Sequence, residues 1–242
     1  MNKLTRRDFL KRTAITGGAS ALTFSGLFGY SQVFAQEDGD SLETIINLAA
    51  TAETLACTHY YSALTDGSIA LTPDERAILT AALDTEYQHL QFLNANGASA
   101  LTEEFFFPVN VYVDRENFSE ITEVAETAFV GAYLAANRRI AELGNPLLAA
   151  TVAQVACTEE VHLALIRQIG GRLPNHVSLA QATVFNTSDV VPVLQGFLEG
   201  GDGMDDVARP YPGADAITSF VADMGVMPVD PFVNFDAMTS DS

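Results

Sequence analysis

Two stretches of the chain share one cadence: "TEYQHL" at residues 85–90 and "TEEVHL" at 158–163. In each, a glutamate and a histidine stand three residues apart, Glu86 with His89 and Glu159 with His162. On a helix such a pair leaves one face about a turn apart. An oxygen donor and a nitrogen donor held that way can serve one cation. Two further glutamates, Glu53 in "AATAETLAC" and Glu126 in "EVAETAFVGA", interrupt runs of small apolar residues, where an unpartnered charge is costly to bury. The chemistry open to this set is metal binding. Its four carboxylates carry four negative charges, which two divalent ions neutralise, while two imidazoles add softer nitrogen ligands.

One offset relates the two halves of the set. Glu53 and Glu126 lie 73 positions apart, as do Tyr60 and Tyr133, Pro73 and Pro146, Glu86 and Glu159, and His89 and His162. "AET" at 52–54 returns at 125–127, with no gap needed anywhere. An offset kept over so many positions marks an internal duplication. Two copies packed about a pseudo-twofold axis bring matching residues together at the centre.

The elements that must position these residues are long helices. Ala- and Leu-rich stretches with helical spacing alternate with short Gly, Pro and Asn punctuation. The first helix is expected over Ser41 to Thr65, with Asp40 as N-cap and Gly67 just past its end. The second opens at "TPDE", where Thr72 caps, Pro73 takes the first helical position and Glu75 closes a capping box; it ends near Asn96. The third is expected from around Asn117 to Ser119 as far as Leu143. The fourth opens with Asn145 as cap and Pro146 in the first turn, and stops at Gly170. Each is about 23 to 26 residues, or about 35 Å.

Short links join helices one to two and three to four, so each pair forms an antiparallel hairpin. The link from about 97 to 118, "GASALTEEFFFPVNVYVDRENF", is long and aromatic, enough to run the length of a bundle and leave helices two and three parallel. The expected fold class is therefore all-α. It is an antiparallel four-helix bundle of two duplicated hairpins with one long crossover, the ferritin-like arrangement, followed by an irregular C-terminal extension.

By these helices and this ligand set the chain resembles the ferritin-like superfamily. It looks closest to exported members whose first and third helices carry a Glu followed seven residues later by Tyr, here Glu53 with Tyr60 and Glu126 with Tyr133. The resemblance covers about Ser41 to Gly170 and fills all six ligand positions. It implies that Glu86 and Glu159 bridge two divalent metal ions, that Glu53 and Glu126 bind one ion each, and that His89 and His162 complete the shells. Iron is the first choice of metal and manganese the second. The implied function is redox chemistry with dioxygen or peroxide, and no catalytic residue is assigned. A non-catalytic metal-binding or stress- and desiccation-related structural protein is the alternative from another class. Plainer still is a duplicated bundle whose Glu and His only hydrogen-bond one another. Tyr60 and Tyr133 are read as packed core residues, with donors to the ligands or radical relays as the sharper alternative.

The N-terminus has a different character. "TRRDFLKR" at 5–12 resembles the twin-arginine export signal; a mildly apolar run follows to Tyr30, and "VFA" ends at Ala35 as a small-residue cleavage site. Residues 1–35 are expected to be this signal, 36–170 the bundle and 171–242 an extension packed on it. The apolar run holds too many glycines and hydroxyl residues for a stable membrane anchor. The implied location is periplasmic or extracellular, reached by a pathway that carries folded proteins.

Of 12 basic and 31 acidic residues in the 242, the leader holds 5 and 1, which leaves 7 against 30, a net −23 with no lysine. Such a surface excludes nucleic acid and anionic membranes as natural partners. A homo-oligomer stays open. Cys57 and Cys157 are expected as two small buried thiols, with a disulfide the lesser alternative. His59 is read as exposed or locally bonded, His176 receives no role, and the acidic loop "GGDGMDD" at 200–206 is read as a solvated turn. Short helices are expected near Ser188 to Glu199 and Ala214 to Met224, and "MPVDPFVNFD" as an extended tail over the bundle.

Overall fold

Each long helix starts on a side-chain cap supplied by its own local sequence. The computed structural model describes residues 39–226 together with 229 and 230. The expected signal segment, residues 1–35, therefore lies outside the described residues, as does most of the "MPVDPFVNFD" tail. The long helices are α1 (Leu42–Thr65), α2 (Pro73–Ala95), α3 (Arg115–Glu142) and α4 (Pro146–Ile169). At α2 the capping box forms as expected: Thr72 Oγ1 accepts from Glu75 N at 3.2 Å, and Glu75 Oε2 accepts from Thr72 N at 2.8 Å. At α4 the Asn145 side chain caps Leu148 N at 3.1 Å, with Pro146 in the first turn.

Two helix starts differ from expectation. The cap of α1 is Ser41, whose Oγ accepts from Thr44 N at 3.1 Å, and not Asp40. Asp40 is drawn into a distant contact instead, its carboxylate accepting from Ser188 N at 2.8 Å and Ser188 Oγ at 2.6 Å. The third helix begins at Arg115 rather than at 117–119, because Asp114 Oδ1 caps Asn117 N at 3.0 Å.

Within each hairpin the helices pack together, α1 on α2 and α3 on α4; the hairpins meet through α1 against α3 and α2 against α4. The crossover, residues 96–114, follows α1 along its length. It starts beside Asn47 and Thr51, which accept from Ser99 N (2.8 Å) and Leu101 N (2.9 Å). It then lays Phe107 and Tyr112 against His59, and Tyr112 O accepts from Ser68 N (2.8 Å) beyond the helix end. Since the chain has travelled the whole of α1 before α3 begins, α2 and α3 run parallel. Arg115 fixes that start, pairing with Glu75 and donating to Ala70 O and Ile169 O.

The extension packs on the crossover and on the bundle. After a 3-10 turn (Thr187–Val190) come α5 (Val191–Glu199) and α6 (Ala214–Asp223). A two-residue strand in the crossover, β1 (Glu104–Phe105), pairs antiparallel with β2 (Arg209–Pro210) of the extension. Helix α6 lies on α2 and buries Ile217 and Val221. Gly131 lies mid-helix in α3 where Thr183 approaches so closely that a Cβ would meet its hydroxyl.

This covering divides the four helices into two kinds. Eighteen residues of α1 and eighteen of α3 are buried, against nine in α2 and eleven in α4. Helices α1 and α3 thus have both faces covered, whereas α2 and α4 keep a solvent face. Among the described residues no helix is long and apolar enough to cross a membrane.

Candidate metal centre

The apolar core is split into two clusters. One gathers Ile45, Ala50, Leu90, Ile140 and Val152 at one end of the bundle, and the other gathers Leu55, Leu83, Phe118 and Leu163 towards the other. Between them the four helices carry a polar layer. Glu53 comes from α1, Glu86 and His89 from α2, Glu126 from α3, and Glu159 and His162 from α4; all six are buried.

The layer resolves into two overlapping groups, Glu53, Glu86, His89 and Glu159 in one and Glu86, Glu126, Glu159 and His162 in the other. Within each group the candidate ligand atoms lie within 4.8 Å of one another. Glu86 and Glu159 belong to both. His89 Nδ1 is 3.3 Å from Glu86 Oε2 and 3.1 Å from Glu159 Oε1. His162 Nδ1 is 2.8 Å from Glu86 Oε1 and 3.5 Å from Glu159 Oε2. Each of these carboxylates therefore turns one oxygen to each imidazole, the disposition of a bridge. Glu53 and Glu126 each belong to one group only.

The tyrosines of the duplication are crossed. Tyr60 of the first copy donates its hydroxyl to Glu126 Oε1 of the second, and Tyr133 donates to Glu53 Oε1. They are buried core residues, as expected, and also donors to the lone glutamates. Burial, reinforced by the Glu126 and Glu53 carboxylates respectively, pushes both phenols well above their usual range.

The electrostatics show a site short of positive charge. Burial, with the charges of Glu86 and Glu159 added, pushes the Glu53 and Glu126 carboxyls well above the usual carboxylate range. Burial also disfavours the Glu86 anion, but the facing His162 and the contacts with His89 outweigh it and hold that carboxyl low. Burial likewise works against charging either imidazole; Glu53 and Glu159 around His89, and Glu86 and Glu159 around His162, overcome it and raise both. Even with both imidazoles charged, Glu53 and Glu126 favour the neutral form, so the layer lacks the positive charge that would ionise its lone carboxyls. Glu53 Oε2, Glu126 Oε2, both oxygens of Glu86 and of Glu159, and His162 Nδ1 have no aligned hydrogen-bond partner. Buried polar atoms are ordinarily paired, so this concentration fits a donor set made for cations. Oxygen-rich with two imidazoles, it suits Fe(II), Mn(II) or Zn(II) and leaves soft thiolate sites out of account.

Other residues depart from expectation. His59 is buried, not exposed, and its bonds are long-range: Nε2 lies 2.8 Å from Thr122 Oγ1 and Nδ1 lies 3.1 Å from Tyr112 OH. Phe107 and Phe118 stack on its ring. Burial, with Arg209 nearby, lowers its pKa to about 3 and keeps it neutral. The cause is the crossover, which covers a face of α1 that helical periodicity leaves open. Cys57 is buried, but Cys157 is exposed and both are free. His176 is exposed and bonds only locally.

A second buried charge cluster has no forerunner in the motifs. Glu123, one turn before Glu126, pairs with Arg167 of α4 and with Arg172 just beyond it (2.6 Å). Arg172 also donates to Ser119 O at 3.0 Å, so the cluster anchors the chain leaving α4 to the start of α3. The signal available for it was the Glu three positions before Glu126, which shares its helix face.

No curated protein and no solved structure gives a significant match to the chain. The family model described as "Ferritin-like domain" matches residues 42–172, more than half of the 242. The match opens on the first residue of α1 and closes on Arg172, just past α4, so it spans both hairpins, the crossover and the whole polar layer. The chain belongs to the ferritin-like domain family.

Proposed function

We propose that the chain is an exported, dinuclear metal protein in which Glu53, Glu86, His89, Glu126, Glu159 and His162 hold two divalent ions, iron in the first place and manganese in the second, for redox chemistry with dioxygen or peroxide. The observation that carries this is the set of orphaned carboxylate oxygens at the centre, of which Glu86 and Glu159 each turn one to either imidazole. A pair of redox-active ions bound by these residues would supply the two electrons that convert hydrogen peroxide and two protons to two molecules of water.

The chain's own residues do the rest. Glu86 and Glu159, which belong to both ligand groups, would hold either ion, and Glu53 and Glu126 would each hold one. Tyr60 and Tyr133 hold the lone glutamates in place through their hydroxyls. The apolar clusters on either side exclude bulk water, which strengthens every charge interaction inside. The twin-arginine-like leader supports export of a folded, metal-loaded protein to the periplasm or beyond, and the lysine-free acidic mature chain supports a life away from nucleic acid and anionic lipid.

Elemental analysis of the natively exported protein tests the reading, beside its optical spectrum after exposure to peroxide. About two metal ions per chain, most of them iron, is the expected result. Well under one metal per chain after anaerobic loading with Fe(II) or Mn(II) would sink it. Full loading without consumption of dioxygen or peroxide would keep the metal site and assign the protein to a non-catalytic role.

A further inference from the structure

The duplication reaches past the helices into the chain that leaves them. At the offset of 73, crossover residues 97–114 correspond to 170–187, the stretch that leaves α4 and runs back along α3. Arg167 Nε donates to Leu173 O at 2.9 Å near its start, and Thr183 passes against Gly131. Towards its end Arg138 donates to Phe185 O at 2.8 Å, with its guanidinium 3.8 Å over the Phe185 ring. Phe106 matches Leu179 in this register and Tyr112 matches Phe185; Tyr112 likewise has an arginine, Arg209, over its ring.

The two stretches differ in what covers them. Over the first lies the extension: Phe106 N donates to Phe197 O at 2.8 Å, Asp205 N donates to Phe107 O at 2.7 Å, and Tyr112 is only 5% exposed. On the second, Leu173, Leu179 and Phe185 are 65%, 80% and 68% exposed. A row of large apolar side chains left bare marks a surface that meets a partner. Charge says which partner. No Asp, Glu, Lys or Arg occurs from 173 to 188, whereas the chain after residue 35 carries 30 acidic residues against 7 basic. Like charges repel a second copy over an acidic surface and spare this neutral stretch, and a surface that pairs with itself about a twofold axis must be its own complement in charge. The spacing fits as well, since Leu173 and Phe185 stand six residues to either side of Leu179. An axis at Leu179 sets Leu173 of one protomer against Phe185 of its partner, twice over.

We infer that two copies of this chain dimerise through residues 173–185, with Leu179 at the twofold axis. The second copy then covers along α3 what the extension covers along α1. The inference is independent of the dinuclear reading above and holds with or without metal.

Sedimentation of the chain from Gln36 onward tests it. A dimer is expected, and it should tighten as salt rises from about 0.01 to about 0.15 M, because the Debye length falls from about 30 to about 8 Å and screens the repulsion between the acidic remainders. Leu179→Glu sets two carboxylates at the axis and should weaken association about a hundredfold, the scale of like charges brought face to face. Val207→Glu, at a position 77% exposed on the extension, should leave it unchanged. With the exposed thiol removed by Cys157→Ser, Leu179→Cys should link two chains through a disulfide on mild oxidation, and Val207→Cys should not. A monomer at about 1 mM, where even a weak contact forms, would overturn the inference. So would a dimer that Leu179→Glu leaves as tight as wild type, or one that loosens as salt rises. If the chain from Gln36 is monomeric and position 179 is shielded from a thiol reagent only in the full-length chain, the face belongs to residues 1–35 and the dimer is refuted.

Discussion

The two hairpins agree where they face the centre and diverge almost everywhere else. At the offset of 73 the three metal-facing residues and the tyrosine are identical, yet His59 corresponds to Ala132, Thr122 to Ala49, and the buried Glu123 to Ala50. A constraint felt only at the centre explains this. Four carboxylates and two imidazoles around two cations admit few alternatives, whereas the outer faces of α1 and α3 are covered by different partners, the crossover on one side and the extension on the other. Asymmetry in this protein therefore lies in the packing around the cradle and not in the cradle.

The largest effect is expected from removing the shared carboxylate Glu86, set against the two unshared ones, Glu53 and Glu126. Glu86→Ala should reduce bound metal from about two per chain to well under one, because Glu86 belongs to both ligand groups; Glu53→Ala and Glu126→Ala should each leave about one. Metal analysis of refolded, loaded protein reads the outcome, and unequal losses from Glu53→Ala and Glu126→Ala would show that the halves differ at the centre after all.

Next in size is the charge cluster found in the second half alone. Glu123→Ala leaves Arg167 buried without its carboxylate and should cost about 3 kcal/mol, the range for a broken buried pair, read from denaturant midpoints. No loss would mean that Arg167 finds other partners when the pair is gone.

His59→Ala makes the first half resemble the second at Ala132. With the folded pKa near 3 and an ordinary value of 6.5, the unfolded chain takes up a proton at this site that the folded one refuses. His59 therefore costs the wild type stability as pH falls from 6.5 towards 3 and has no such effect above 6.5. In that window the wild type should lose about 1.4 kcal/mol per pH unit more than the variant. Parallel pH profiles for the two proteins would count against a neutral, buried His59.

The smallest contrast is between matched caps. Thr72→Ala removes the Oγ1 cap bond but keeps the bond from the residue 72 N–H to Glu75 Oε2 and should cost about 0.5 kcal/mol, while Asn145→Ala removes the single cap bond of α4 and should cost about 1 kcal/mol. Thermal melts of metal-free protein order the two.

Much of the cradle is legible in the sequence because it repeats. One offset ties together Glu53, Glu86, His89 and their counterparts, and the capping signals at Thr72 and Asn145 bound the helices that carry them. What is not legible depends on which surfaces meet. Helical period assigns His59 to a face other than that of Glu53 but cannot foresee Phe107 and Tyr112 arriving over it from the crossover. Nor does it say that each tyrosine serves the glutamate of the other copy, which follows only from how α1 and α3 face one another. Asp40 and Ser41 both carry good capping groups, and a partner at Ser188 decides between them.

That last contact bears on the order in which the protein folds. Asp40 and Ser188 are 148 residues apart, with both hairpins in between. The hairpins have local partners and can form as they are made, whereas this junction carries a large loop-closure cost until the intervening chain is already compact. The contact from Ser188 to Asp40 thus forms last, after synthesis has passed residue 188, so a chain truncated before that point would keep its cradle residues and hold the start of α1 through the Ser41 cap and Arg139 without it.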